Sequence, residues 1–433
     1  MIPIETRGIH WFRHDLRVTD NQALAILAQS TQRCIGVYVF DARWEDLNQW
    51  GCCHLGRHRK AFIESALFDL QKRLRALGSD LIVLAGDPVE VMTYLVNTNA
   101  ISHLSYEFHA GWNERQVVKQ LQAALPALHW IKGQSNYLYA YDHLPFTLDK
   151  LPSTFTPTRH ALEKYAKPRL PLEAATENTP ITLALLALNL GKLTPYCFSS
   201  NAPLGAYSGG ESAALARIDD YFFVTDAIAT YKETRNGLDG WSFSSRASAF
   251  LAHGCISPST LLAKLKQYEQ ERVANDSTYW LFFELLWREF FHLQHYKHGT
   301  QSFAFGGVQN KAPTGQVDSA AFKRWCLGET GYAIVDASMR QLNATGFMSN
   351  RARQLVASCF VHELGLDWRL GAAYFEQQLI DFDVANNWGN WQYLAGVGAD
   401  PRGHRQFNLQ KQAEMHDPKG LFVTQWLDDG LEK

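Results

Sequence analysis

Short β-rich runs alternate with amphipathic helical patterns through the first 135 residues, and few folds satisfy that alternation. Residues 8–13, 34–40, 80–85, 103–108 and 129–132 read as strands, and the clearest helical patterns between them are 58–77 and 114–125. This order predicts a doubly wound, parallel, Rossmann-like sheet, which receives ligands at the carboxyl ends of its strands. The fingerprints G-x-G-x-x-G, G-x-x-x-x-G-K-S/T and G-x-S-x-G do not occur. The region therefore carries no nicotinamide, P-loop or hydrolase-elbow signature.

The pattern changes twice further on. Residues 136–208 are punctuated by Pro145, Pro152, Pro157, Pro168, Pro171, Pro180, Pro195 and Pro203, which predicts an interdomain connector with short helices. Residues 209–433 read as helical. The expected fold class is thus α/β, with an α/β domain at 1–135 and an all-helical domain at 209–433. Hydrophobic residues are 46% and charged residues 19% of the 433, which excludes a disordered chain. A net charge of −2 excludes a uniformly basic nucleic-acid coat but leaves room for a local basic patch. Seven scattered cysteines without a C-x-x-C pair fit reduced thiols. No apolar leader follows Met1, and no apolar run is long enough to span a bilayer. A cytoplasmic monomer without membrane contact is expected.

Four segments carry side chains suited to chemistry. Within 275–291, Trp280, Glu284, Trp287 and Phe291 recur at helical spacing, so one helix face sets a carboxylate among aromatic rings. Asp276 or Ser277 is the expected cap. A buried carboxylate is protonated or paired, and a salt bridge with a nearby Arg is the competing reading of Glu284. Tyr231, Ser244, Ser245, Arg246 and Ser248 gather hydroxyls and a cation before a helical run. Such a cluster cradles a phosphate or simply caps a helix. Asn350, Arg351, Arg353 and Gln354 suit anions or base edges, and equally a solvated helix start. Segment 381–393 holds Asp381, Asp383, Asn386, Asn387, Trp388, Asn390, Trp391 and Tyr393. Amides compete with a helix backbone, so this composition points to a flat heterocycle that is both hydrogen-bonded and stacked. Glu289 and His292 make an E-x-x-H spacing, but no second copy completes a di-metal set, and no metal is expected.

Together with Trp11-Phe12-Arg13-His14-Asp15-Leu16-Arg17, these segments resemble the photolyase/cryptochrome family. Gly209-Gly210-Glu211 and residues 231–236 and 271–280 resemble its cryptochrome DASH branch. The resemblance runs through nearly the whole chain. It implies FAD, held folded among the C-terminal helices. Tyr231, Ser244, Ser245, Arg246 and Ser248 match positions that hold the FAD phosphates. Arg288, Asn350, Arg353, Asp381 and Asp383 match positions around its rings and ribose, and Asn387 matches the residue facing flavin N5. Glu284 and Trp287 match the carboxyl and the indole that contact a pyrimidine dimer, with Asn350 and Arg351 beside them as DNA contacts. Gln354 and Tyr393 stand where conventional bacterial enzymes carry Met and Trp. Less apolar contact compensates less for flipping a dimer from a duplex, which costs on the order of a few kcal/mol. The implied partner is therefore DNA with dimers in single strands.

The implied activity is that of a deoxyribodipyrimidine photo-lyase. Blue light drives an electron from reduced FAD into the dimer, the ring bonds open and the electron returns. The alternative is a blue-light signalling cryptochrome with little repair, and a light-independent flavin oxidoreductase is a third reading. A (6–4) photolyase is disfavoured, because Met348-Ser349-Asn350 offers no His pair. The family often reduces its flavin through three Trp. Trp391 and Trp368 match the proximal and middle members, whereas the distal position is Gly315, which implies a truncated or rerouted path. The implied antenna is 5,10-methenyltetrahydrofolate, with Glu107 as the acid on its pterin. Arg402, Arg405 and Lys411, with Arg351, are the expected patch for the DNA backbone.

Overall fold

The computed structural model describes residues 5–172, 183–198, 207–400 and 405–427. Five parallel strands, β1 (Arg7–Phe12), β2 (Arg33–Asp41), β3 (Leu81–Gly86), β4 (His103–Glu107) and β5 (His129–Gly133), form within a residue or so of their expected places. They lie in the order β5-β4-β1-β2-β3, and a two-residue strand from the connector, β6 (Thr194–Pro195), pairs antiparallel with β3. The Pro-rich sequence did not announce that strand, but an edge tolerates proline because one side needs no donor. Period-two patterning divides β2 between two cores. Ile35, Val37 and Val39 join Ile9 and Trp11 on one face, while Cys34, Tyr38 and Phe40 join Phe12 on the other.

Helices α1 (Gln22–Ser30), α2 (Arg57–Ala76), α3 (Pro88–Thr98) and α4 (Trp112–Ala124) belong to the sheet domain, and α5 (Phe155–Tyr165) lies in the connector. The helical half begins with α6 (Glu211–Asp219), α7 (Tyr231–Thr234), α8 (Ser248–Ala252), α9 (Pro258–Glu271) and α10 (Asp276–His298). It continues with α11 (Ser319–Leu327), α12 (Ala333–Thr345), α13 (Asn350–Ser358), α14 (Trp368–Gln378), α15 (Val384–Leu394), α16 (Leu409–His416) and α17 (Leu421–Leu427). No strand occurs among the described residues from 207 onward. The cap of α10 is Asn275 rather than Asp276 or Ser277. Its side chain accepts from the Ser277 and Thr278 N–H groups, and the Thr278 hydroxyl reaches back to the Asn275 N–H. Asp276 instead occupies the first turn, where a carboxylate meets the positive end of the helix dipole.

The 13–17 run clamps the two halves together. Arg17 is 1% exposed. Its guanidinium donates to Ser135 Oγ (2.8 Å), Asn136 Oδ1 (2.8 Å) and the Gly254 carbonyl (3.0 Å). The Leu16 N–H donates to the His253 carbonyl at 3.0 Å. Gly254 is required here: its φ is +67°, and an added Cβ would meet the His14 carbonyl at 2.0 Å.

Candidate functional site

The C-terminal part of the clamp leads into a cavity walled by α7, the 237–248 loop, α8, α10 and the starts of α13 and α15. It spans about 1260 Å³, part of it open to solvent. A second lobe of about 600 Å³ is lined by Gln354, Asn387 and Trp391. Both lobes share Asn350, Arg353, Asp381, Asp383 and Asn386, so they adjoin along these residues.

The outer lobe brings together Tyr231, Ser244, Ser245, Arg246 and Ser248. Arg217 braces their loop, its guanidinium donating to the carbonyls of Trp241 (2.7 Å), Ser244 (2.9 Å) and Ser245 (3.1 Å). Three oxygens that would repel an anion are thereby taken up. Arg246 turns the chain with a φ of +58° and lies over the Phe347 ring at 3.7 Å. Its buried Nε has no hydrogen-bond partner.

Where the lobes adjoin, Arg353 donates from Nη2 to both oxygens of Asp381, at 3.0 and 2.8 Å, and from Nε to the Met348 carbonyl at 2.9 Å. Asp383 caps α15 by accepting from the Asn386 N–H, and it also lies 2.8 Å from His292 Nε2. Burial pushes the Asp383 carboxyl up, but His292 and Arg288 outweigh burial and hold it well below the usual carboxylate range. Arg288, in the outer wall, donates to the Asn136 carbonyl (3.0 Å) and to Glu289 (3.1 Å). In the inner lobe, Asn387 is anchored by its Nδ2 on the Ala372 carbonyl at 3.0 Å.

Glu284 stands at the outer lobe. Arg235 Nη1 (2.9 Å) and Trp280 Nε1 (3.1 Å) both donate to its Oε1, which leaves Oε2 available. Burial raises its pKa against the opposing pull of Arg235. The ion-pair reading of Glu284 is thus realised, with a partner that the sequence did not single out. Trp287 stacks face to face on Phe155 of α5 at 3.7 Å and meets Tyr393 edge-on at 6.2 Å. Tyr393 in turn carries the Arg405 guanidinium 4.4 Å above its ring. Arg351 lies outside the cavity wall and donates to Asn236 Oδ1 at 2.9 Å. Lys411 is exposed on α16, and Arg402 lies outside the described residues.

One expectation is corrected. Glu107 is 3% exposed, and its oxygens accept from the backbone N–H groups of Ala23 (3.0 Å) and Ser135 (2.6 Å). A carboxylate consumed in stapling β4 to α1 is not offered to a pterin. Trp391 meets Trp325 edge-on at 6.1 Å, and Trp368 meets Trp388 at 5.7 Å. Sequence reasoning missed Arg235, Arg217 and Phe155 as site residues. Only the clustering of aromatics and cations between 231 and 246 hinted at the first.

Two family models match the chain: the DNA photolyase model over residues 8–177 and the FAD binding domain of DNA photolyase over residues 280–431. A protein from Idiomarina loihiensis named "Cryptochrome DASH" is 44% identical over 423 residues, 98% of this chain and 93% of its own length. The crystal structure of the Synechocystis sp. PCC6803 cryptochrome superposes with a TM-score of 0.93 at 38% identity, covering 99% of this chain and 89% of that one. A bacterial class III photolyase from Agrobacterium tumefaciens follows, with a TM-score of 0.83, 28% identity, and 98% and 87% coverage. Fold and site thus define a flavin-binding, photolyase-type protein. The chain belongs to the photolyase/cryptochrome family, and within it to the cryptochrome DASH type. No helix among the described residues is long and apolar enough to cross a membrane.

Proposed function

We propose that this protein repairs cyclobutane pyrimidine dimers in single-stranded DNA under blue light, with FAD as its cofactor, in the cytoplasm. The observation that carries this reading is the two-lobed cavity, which has hydroxyls at one end, amides and carboxylates at the other, and Glu284 beside Trp280 at its outer wall. Its donor set fits a folded dinucleotide. Ser244, Ser245, Ser248 and Tyr231, with Arg246 behind them, would hold the diphosphate. Asp381 and Asp383, fixed by Arg353 and His292, would accept from ring and ribose donors, and Asn387 would present an uncharged amide to the flavin. When bound and reduced, FAD supplies the photoexcited electron that splits the dimer.

The remaining work is positioning. Trp287, held flat by Phe155, offers a surface against which a dimer packs. Glu284 Oε2, left over by the Arg235 and Trp280 contacts to Oε1, is the oxygen available to a pyrimidine, and burial raises the pKa of this carboxyl against the pull of Arg235. Arg351 and Arg405 supply charge for the phosphates beside the opening. Gln354 and Tyr393 keep the rim polar, which favours dimers already unstacked in single strands over those that must be flipped out of a duplex. A methenyltetrahydrofolate antenna belongs to the same reading, held by residues other than Glu107.

The test is repair of a thymine dimer in a single-stranded oligonucleotide, with and without blue light. Light-dependent recovery of intact thymines supports the proposal. Flavin-loaded protein that leaves the dimer intact in light points to signalling instead.

A further inference from the structure

Trp391 lines the inner lobe of the cavity and is 2% exposed. Gly315, where an aromatic exit was expected, lies against the backbone: an added Cβ would stand 3.0 Å from the Leu366 carbonyl. No ring occupies that place, but a different set of rings leads outward. Trp388 precedes Trp391 by three residues on α15, so the two side chains are helix neighbours. Trp388 lies 5.7 Å from Trp368 and 6.4 Å from Trp50. Trp50 belongs to the loop before α2 and is half-buried, whereas Trp388 and Trp368 are 4% and 1% exposed.

Hydrogen bonding separates these indoles. Trp388 Nε1 is buried without a partner. An oxidised indole becomes a trapped neutral radical only by giving its N–H proton to an acceptor. Among the described residues none accepts from Trp388 Nε1, so a hole arriving there is passed on. Trp368 Nε1 donates to the Phe305 carbonyl at 3.0 Å, which is a hydrogen-bond acceptor but not a base. Trp50 reaches solvent, which can take the proton. Arg369 lies 5.8 Å from the Trp50 ring, but Asp367 pairs with that guanidinium at 2.7 Å and offsets its charge.

We propose that Trp388 and Trp50 form the electron entry path to the flavin site, in place of an exit at position 315. This rests on the flavin reading of the cavity. One electron leaves Trp391 for the light-excited oxidised flavin, and Trp391 is refilled through Trp388 from Trp50. Trp50 then gives its Nε1 proton to water. A thiol reductant in solution returns one electron, and a proton with it, so the net transfer is one electron from thiol to flavin.

The test uses the full chain loaded with flavin, followed by time-resolved absorption and by flavin reduction under blue light with a thiol present. Trp50→Phe is expected to lose the long-lived neutral Trp radical and to slow flavin reduction several-fold. Mass spectrometry after aerobic illumination should find ring oxidation at Trp50. The competing branch runs from Trp391 to Trp325 and on to Tyr374, with ring separations of 6.1 and 5.7 Å. A radical that persists in Trp50→Phe, or that disappears in Tyr374→Phe, overturns the proposal. A chain that takes up no flavin overturns the reading of the cavity as well, and is seen directly in the ground-state spectrum.

Discussion

The carboxyl edge of the sheet and the cavity of the helical half are both built from polar side chains, but they dispose of them differently. At the sheet edge, β1 lies between β4 and β2, so the chain parts there and a crevice is expected. His14 and His109 stack on each other at 4.2 Å, and Arg13 donates to the carbonyls of Glu107 (2.9 Å) and Glu114 (3.1 Å). In the helical half, Arg353 with Asp381 and His292 with Asp383 are equally well paired, yet their pairs stand as walls around empty space. Satisfied polar groups mark a ligand site only where packing leaves room beside them.

The largest expected effect breaks the open region. Arg353→Ala leaves Asp381, whose side chain is 2% exposed, without its cation. A stability loss of about 3 kcal/mol is expected, with loss of bound flavin. Thermal unfolding and the flavin content of the purified variant measure both.

The junction between the regions should fail next, on acidification. His253 and His295 are held neutral by burial, at about 3 and about 4 against an ordinary 6.5. Because their folded values are lowered, the unfolded chain binds protons first as pH falls. Stability is full above 6.5 and is lost through the window down to about 4. Each group costs about 1.4 kcal/mol per pH unit in that window. Denaturant midpoints between pH 7 and pH 5 should fall accordingly, and less steeply in His295→Asn.

Glu284→Ala is expected to lower the repair yield about tenfold, equivalent to about 1.4 kcal/mol, while flavin content stays unchanged. An unaltered yield would remove Glu284 from the proposed chemistry. A smaller gain is expected from Gln354→Met combined with Tyr393→Trp: a less than tenfold rise in repair of duplex relative to single-stranded substrate, within about 1.4 kcal/mol. The smallest effect is expected at the sheet edge. Glu107→Gln should weaken the fold but leave any near-ultraviolet antenna band unchanged, since its carboxyl already serves Ala23 and Ser135.

Much of this was legible in the chain. The five parallel strands and the switch to helices follow from hydrophobic period, which is a local property. The residues of 381–393 could be recognised as heterocycle-binding by type alone, and six of the named eight do line the inner lobe with Asn350 and Arg353: Asp381, Asp383, Asn386, Asn387, Asn390 and Trp391. The cap of α10 was misplaced by one residue because Asn, Asp and Ser all cap well, and only the backbone turn decides among them. Glu107 was misread because acidity is visible in a sequence and burial at a strand end is not.

What the sequence determined by itself is therefore the kind of element at each stretch and the kind of chemistry each cluster can support. Periodicity and residue type act over a few residues and survive without the fold. Only the tertiary structure decided that Arg235 pairs with Glu284 across 49 positions, that Phe155 supports Trp287, and that Trp388 lies beside both Trp368 and Trp50. Such contacts depend on distances of a few ångströms between distant parts of the chain, and these are set by packing of the whole.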